Sequence, residues 1–122
     1  MAKNILVADD DLTMMKLMSL EFDSRALDVV VRSAADGMEA MAAIDRTKPD
    51  LLVLDLRMPK ADGFAVLEHL QKNNPDVPVV VLTNYDTADY REKCTMSGVK
   101  EYMVKHKMPL QAIFERVTSY VG

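Results

Sequence analysis

The chain has 122 residues, enough for one domain with a sizeable core, and 28% charged against 49% hydrophobic side chains is a globular balance. A net charge of -4 argues against the basic footprint of nucleic-acid binding, and one cysteine, Cys94, excludes an internal disulfide and fits a reducing compartment. No apolar run approaches the roughly 20 residues of a membrane-spanning helix, and the opening MAKNILVADD lacks the long apolar core of a signal peptide, so a cytoplasmic protein is expected.

Residues 4–8 (NILVA) read as a first strand, followed at once by Asp9, Asp10 and Asp11. Met14, Leu17, Met18 and Phe22 recur at helical spacing and predict a first helix. Met14 and Met18 fall on its core face. Met15 falls on another, expected exposed, where an adaptable side chain suits the docking of a partner helix. Residues 27–31 (LDVVV) predict a second strand, and Asp36 caps a second helix carrying Ala40, Met41 and Ile44. Residues 51–54 (LLVL) predict a third strand that runs straight into Asp55. Phe64, Leu67 and Leu70 mark the third helix. Residues 77–82 (VPVVVL) predict a fourth strand, which ends on Thr83 and Asn84. Tyr90 and Cys94 mark a fourth helix that Gly98 terminates. Residues 101–104 (EYMV) predict the fifth strand, ending at Lys105. Leu110, Ile113, Phe114, Val117 and Val121 form the last helix, with Pro109 at its first turn.

Short apolar strands separated by helices imply an α/β fold: a doubly wound (βα)5 parallel sheet, covered on both faces. No internal repeat or linker interrupts the pattern, so residues 1–122 read as a single domain. In such sheets ligands bind beyond the carboxyl ends of the strands. The residues found there are Asp9, Asp10 and Asp11, then Asp55, then Thr83 and Asn84, then Lys105. Strands one, three and four are expected inside, with five beside four. Clustered carboxylates need a cation, and hard oxygen ligands without His or Cys suit Mg2+. A lysine and a threonine can hold anionic oxygens. An aspartate can attack phosphorus and form an acyl phosphate. Each of these residues alone has an ordinary reading as a helix cap, turn acid or surface charge; their convergence on one edge favours the chemical one.

The segments VADDD, LDLRMPKADGF, VLTN and EYMVK, at this spacing, make the chain resemble a response-regulator receiver domain of two-component signalling, of the single-domain chemotaxis type. The resemblance covers essentially the whole chain and implies a flavodoxin-like strand order 2-1-3-4-5. It implies Asp55 as phosphoacceptor, Asp10 as a direct Mg2+ ligand, Asp9 as the second acid, and the backbone carbonyl of Arg57 on the metal. Thr83 and Lys105 would contact phosphoryl oxygens, and Tyr102 matches an aromatic that swings inward on activation. The implied partners are a histidine kinase or phosphotransfer protein as donor and an output partner on the face made by the fourth helix, fifth strand and fifth helix. A homodimer is open to such a domain; direct nucleic-acid or membrane contact is not implied. The implied function is a signalling switch that phosphorylates itself and slowly loses the phosphoryl group, not a turnover enzyme.

Three departures stand out, at His106, Asn84 and Arg57, the last bringing a long cation to the rim of the site. His106 follows Lys105 where the family usually has proline, often with a cis bond, and Asn84 follows Thr83 where a small residue is usual. Asn84 and Arg57 are expected to crowd the approach to the phosphoryl group and tune its lifetime. Two alternatives compete. Asp9, Asp11 and Thr13 also fit the D-x-D-x-T motif of haloacid-dehalogenase-like Mg2+ phosphohydrolases, with Asp9 as nucleophile and Asp11 as acid/base. That reading leaves Asp55 unexplained and lacks a late acidic pair. A receiver-like binding module that is never phosphorylated would not need the intact acid set.

Overall fold

The computed structural model describes residues 2–121. Five strands, β1 (Lys3–Ala8), β2 (Val29–Ala34), β3 (Leu51–Leu54), β4 (Val79–Thr83) and β5 (Glu101–Val104), alternate with five helices. These are α1 (Thr13–Ser24), α2 (Gly37–Arg46), α3 (Gly63–Asn73), α4 (Ala88–Met96) and α5 (Leu110–Val121). A short 3-10 turn, Lys105–Lys107, joins β5 to α5. Every pairing is parallel, in the order β2-β1-β3-β4-β5.

The sheet forms because its inner strands have no polar face to lose. All residues of β3 and β4 are buried, as expected for strands covered by helices on both sides. Side chains alternate between two cores. Ile5 and Val7 of β1 pack with Met18 and Phe22 of α1 and Ile113, Phe114 and Val117 of α5. Leu6 and Ala8 pack on the other face with α2, α3 and α4. So α1 and α5 cover one side of the sheet and α2 to α4 the other.

The helix boundaries follow their capping residues. Asp36 Oδ1 accepts the Glu39 N–H at 2.8 Å and starts α2. Asp62 does the same for α3 through Ala65, and Thr87 for α4 through Tyr90. Beyond α4, Gly98 has φ +78°. The Val99 N–H returns to Cys94 O and the Gly98 N–H to Thr95 O, a Schellman ending that needs the left-handed conformation glycine adopts freely.

Four sequence expectations shift. β2 begins at Val29 and runs through Ala34 instead of spanning 27–31. Leu27 is still engaged with the end of α1, its N–H bonded to Phe22 O. Arg32 and Ser33 continue the strand because this is a sheet edge, where polar side chains are tolerated. β4 starts at Val79, two residues late, and includes Thr83. Pro109 lies just before α5 and its carbonyl accepts the Ile113 N–H at 3.2 Å. Met15 is half-buried and packs on the α1–α5 core beside Met14 and Leu17 instead of standing exposed. α1 sinks further into that core than two core-facing methionines require.

Candidate functional site

The strands deliver their last residues to one edge. The Asp9 N–H bonds Ala34 O at 2.9 Å, and the Asp55 N–H bonds Ala8 O at 2.9 Å. Each ladder therefore continues one residue past the strand and fixes the acid that follows. The first turn of α3 closes against Asp55. The Gly63 N–H bonds Leu56 O at 2.9 Å, and a Cβ on Gly63 would lie 2.6 Å from Asp55 O. Only a glycine lets the helix start so near the strand end.

A cavity of about 490 Å3 opens there, lined by Asp9, Asp10, Asp55, Arg57, Asn84 and Lys105 among others. Asp9 and Asp55 are buried in its wall, and Thr83 is buried at the end of β4 beside it. Lys105 Nζ reaches Asp9 Oδ2 at 2.6 Å and Asp55 Oδ2 at 3.3 Å. Burial pushes the Asp9 carboxyl above its ordinary value, against the pull of the Lys105 hydrogen bond. Burial acts to lower the Lys105 ammonium, but its bonds to Asp9 and Asp55 overcome this and raise it. Asp9, Asp10 and Asp55 each bring a carboxylate oxygen within 4.8 Å of the others. An all-oxygen set of acids, with no His or Cys, fits a hard divalent cation such as Mg2+.

Asp11 behaves differently. Its Oδ1 accepts the Thr13 N–H at 3.0 Å, and that bond lowers its pKa. It acts as a turn acid at the start of α1 and stands outside the acidic trio. Asp11 does line the cavity, but the phosphohydrolase reading gives no role to Asp55, which belongs to the carboxylate trio that Asp11 stands outside.

The rim is aromatic. The Arg57 guanidinium lies 4.2 Å above the Tyr85 ring and 5.9 Å from that of Tyr90, and Tyr90 meets Phe64 edge-on at 5.1 Å. Thr83 Oγ1 accepts the Tyr85 N–H at 3.3 Å. The Tyr102 hydroxyl donates to the Tyr85 carbonyl, with the Arg91 guanidinium 4.7 Å over its ring. Burial pushes the Tyr102 phenol up to about 12. One backbone segment, Tyr85, thus touches both Thr83 and Tyr102. Asp86 beside it pairs with Arg91 and Lys107, contacts that hold its carboxyl down at about 2.

Residues 5–118 match the family described as response regulator receiver domain. The chain belongs to this family. As a receiver it is 33% identical over 112 residues to the uncharacterized transcriptional regulatory protein YhcZ of Bacillus subtilis, covering 92% of this chain and 52% of that protein. The receiver spans about half the length of the curated relatives it matches. Among solved structures it resembles the receiver domain of Francisella response regulator 1452, at TM-score 0.81 and 30% identity, covering 98% of this chain and 96% of that one. It also resembles the chain matched in the CheX–CheY–BeF3–Mg2+ complex of Borrelia burgdorferi, at TM-score 0.82 and 26% identity, covering 96% and 87%. Receiver domains partner with histidine kinases or phosphotransfer proteins, and the family generally uses Mg2+ at an aspartate cluster.

The receiver brings Asp9, Asp10, Asp55, Arg57, Asn84 and Lys105 to one cavity, with Thr83 buried at the strand end beside it. Tyr102 sits outside, one hydrogen bond away through Tyr85. Sequence reasoning missed Tyr85, because its backbone contacts leave no residue-type signature, and Asp86, because its side-chain partner Lys107 lies on a different loop. It flagged His106 only as a departure. His106 proves to be a partner of Asn84, and the bond between Lys105 and His106 is trans.

Proposed function

We propose that this receiver is a phosphorylation switch in which Asp55 takes a phosphoryl group from the phosphohistidine of a histidine kinase or phosphotransfer protein. The observation that carries this reading is the meeting of Asp55, Asp9 and Lys105 at the end of a buried sheet. An Asp55 carboxylate oxygen attacks phosphorus, an O–P bond forms, and the P–N bond to the donor imidazole breaks. Asp9, Asp10, Asp55 and the Arg57 backbone carbonyl would hold Mg2+, which when bound would supply positive charge against the phosphoryl oxygens. Lys105, already drawn to Asp55, turns to a phosphoryl oxygen. The Thr83 oxygen accepts the Tyr85 N–H, which leaves its O–H free to hydrogen-bond another phosphoryl oxygen. That pull moves the Tyr85 backbone, to which the Tyr102 hydroxyl is bonded. The change passes to the face formed by α4, β5 and α5, where an output partner or a second copy reads it as a shift between two packings. The proposed setting is the cytoplasm, without direct contact to nucleic acid or membrane.

Intact-mass measurement after acetyl phosphate and Mg2+ tests this. A hydroxylamine-labile adduct is expected on the wild type and absent from Asp55→Asn. An adduct that survives Asp55→Asn but vanishes in Asp9→Asn would overturn the reading and restore the phosphohydrolase assignment.

A further inference from the structure

Two of the departures from the family pattern, Asn84 and His106, are partners in space. Asn84 follows β4 and His106 follows Lys105, 22 residues apart. Asn84 Oδ1 lies 3.1 Å from the His106 backbone N and 3.1 Å from its ring Nδ1. A backbone N–H only donates, so the amide atom facing it is the oxygen. The ring nitrogen facing that same oxygen then carries a proton. One carboxamide oxygen gathers two donors from one residue and ties the β4–α4 loop to the 3-10 turn Lys105–Lys107. A proline at position 106 would have neither donor.

The turn has few other anchors. None of its three residues is buried. Among the described residues, apart from the bonds of the Lys105 ammonium to Asp9 and Asp55 that the turn has to aim, its other outward side-chain tie is the exposed pair Lys107–Asp86 at 2.7 Å. Its first residue is nevertheless Lys105, whose ammonium must sit between Asp9 and Asp55. A lysine ammonium rides on a flexible four-carbon stem, so its placement depends on how firmly its backbone is held.

We propose that Asn84 is a positioning residue for phosphoryl transfer: through His106 it holds the turn that aims Lys105 at Asp55. This rests on the reading of Asp55 as acceptor. It reverses the sign expected from crowding alone. A side chain that merely obstructs the site speeds labelling when removed, whereas one that aims Lys105 slows it. A misplaced catalytic group can cost up to about a hundredfold in rate, and loss of one tether in an otherwise intact loop is set at roughly tenfold.

The test is a double-mutant cycle on the rate of Asp55 labelling by acetyl phosphate with Mg2+, followed by intact mass. Asn84→Ala is expected to slow labelling roughly tenfold when Lys105 is present, and by less than about twofold in a Lys105→Met background, where there is no ammonium to aim. Asn84→Asp, which keeps an acceptor oxygen, is expected to preserve the slow hydrogen exchange of the His106 amide that Asn84→Ala loses. Labelling of Asn84→Ala at the wild-type rate or faster overturns the positioning role, as does an equal loss in both lysine backgrounds or an unchanged His106 amide. A wild type that takes no phosphoryl group on Asp55 at all sinks the acceptor reading, and the positioning role with it.

Discussion

At Asp9 burial and charge pull in opposite directions. It is buried, bonded to Lys105, and still raised in pKa. A carboxyl whose folded pKa exceeds its unfolded value of 3.8 favours the fold when protonated. That contribution is complete below the unfolded value and is lost as pH rises through the folded one, so at pH 7 the ionised Asp9 weighs against the fold. Asp9→Asn is therefore expected to raise the metal-free melting temperature by a few degrees at pH 7, with the advantage shrinking as pH falls toward 4. Melting curves at the two pH values check it, and an equal gain at both would mean that ionisation is not the cause. Gly63 carries a second residue-scale expectation. A methyl group there meets the Asp55 carbonyl and the Leu56 Cα, which are backbone and cannot step aside. Gly63→Ala should cost about 1–3 kcal/mol in chemical denaturation and slow Asp55 labelling, because the strand end shifts. Asp55 was legible as a residue, since a buried strand of four aliphatic residues leaves the acid that follows it nowhere to lie but the sheet edge. The Asn84–His106 bond was not, because two polar residues on different loops become neighbours only once β4 and β5 are in register.

Helix α4 differs in kind from its neighbours. Among the described residues it buries only Cys94, whereas α5 buries Ile113, Phe114, Val117 and Val121. Its attachment depends on Cys94, the half-buried Tyr90 and the Schellman turn at Gly98. Little apolar burial means a low free energy of local opening. Cys94 reports on that opening, because burial pushes its thiol up to about 11 and a buried thiol reacts only when exposed. Thiol labelling at pH 8 is expected to be far slower in the folded protein than in the unfolded chain. Tyr102→Ala removes a ring that packs on the same core as Cys94, and should speed labelling about tenfold. An unchanged rate would mean that α4 is held without Tyr102. At this scale the sequence was clear wherever an element has a buried stripe or a cap: β1, β3, β5, α2 and α5 were legible. It failed at β2, where an edge strand accepts Arg32 and Ser33 and so hides its own end. It failed again at Met15, because a helix lying deep in a core buries more than the face its period marks.

For the molecule as a whole, stability and cation binding are linked. Three carboxylates sharing one corner repel each other in the absence of a counterion. A cation that binds only the folded chain stabilises it by about 1.4 kcal/mol at ten times its dissociation constant. Millimolar Mg2+ is therefore expected to raise the melting temperature by several degrees, and Asp10→Asn to remove most of the rise. A wild type whose melting temperature ignores Mg2+ would remove the metal assignment. The doubly wound architecture was legible because strands buried on both faces leave no alternative partner for their helices. The strand order came from resemblance, since hydrophobic pattern alone does not say which buried strand lies beside which.

The sheet also acts as a partition. Ile5 and Val7 look toward α1 and α5, while Leu6 and Ala8 look toward α2, α3 and α4. A change of volume behind one wall reaches the other only by bending the strands between them. In a lineage accumulating mutations, the two walls can therefore drift almost independently, each repacking against its own helices. The loops at the strand ends have no such freedom. Asp9, Asp55, Asn84 and Lys105 stand at strand ends that both walls share, so a substitution behind either wall that bends a strand displaces the site.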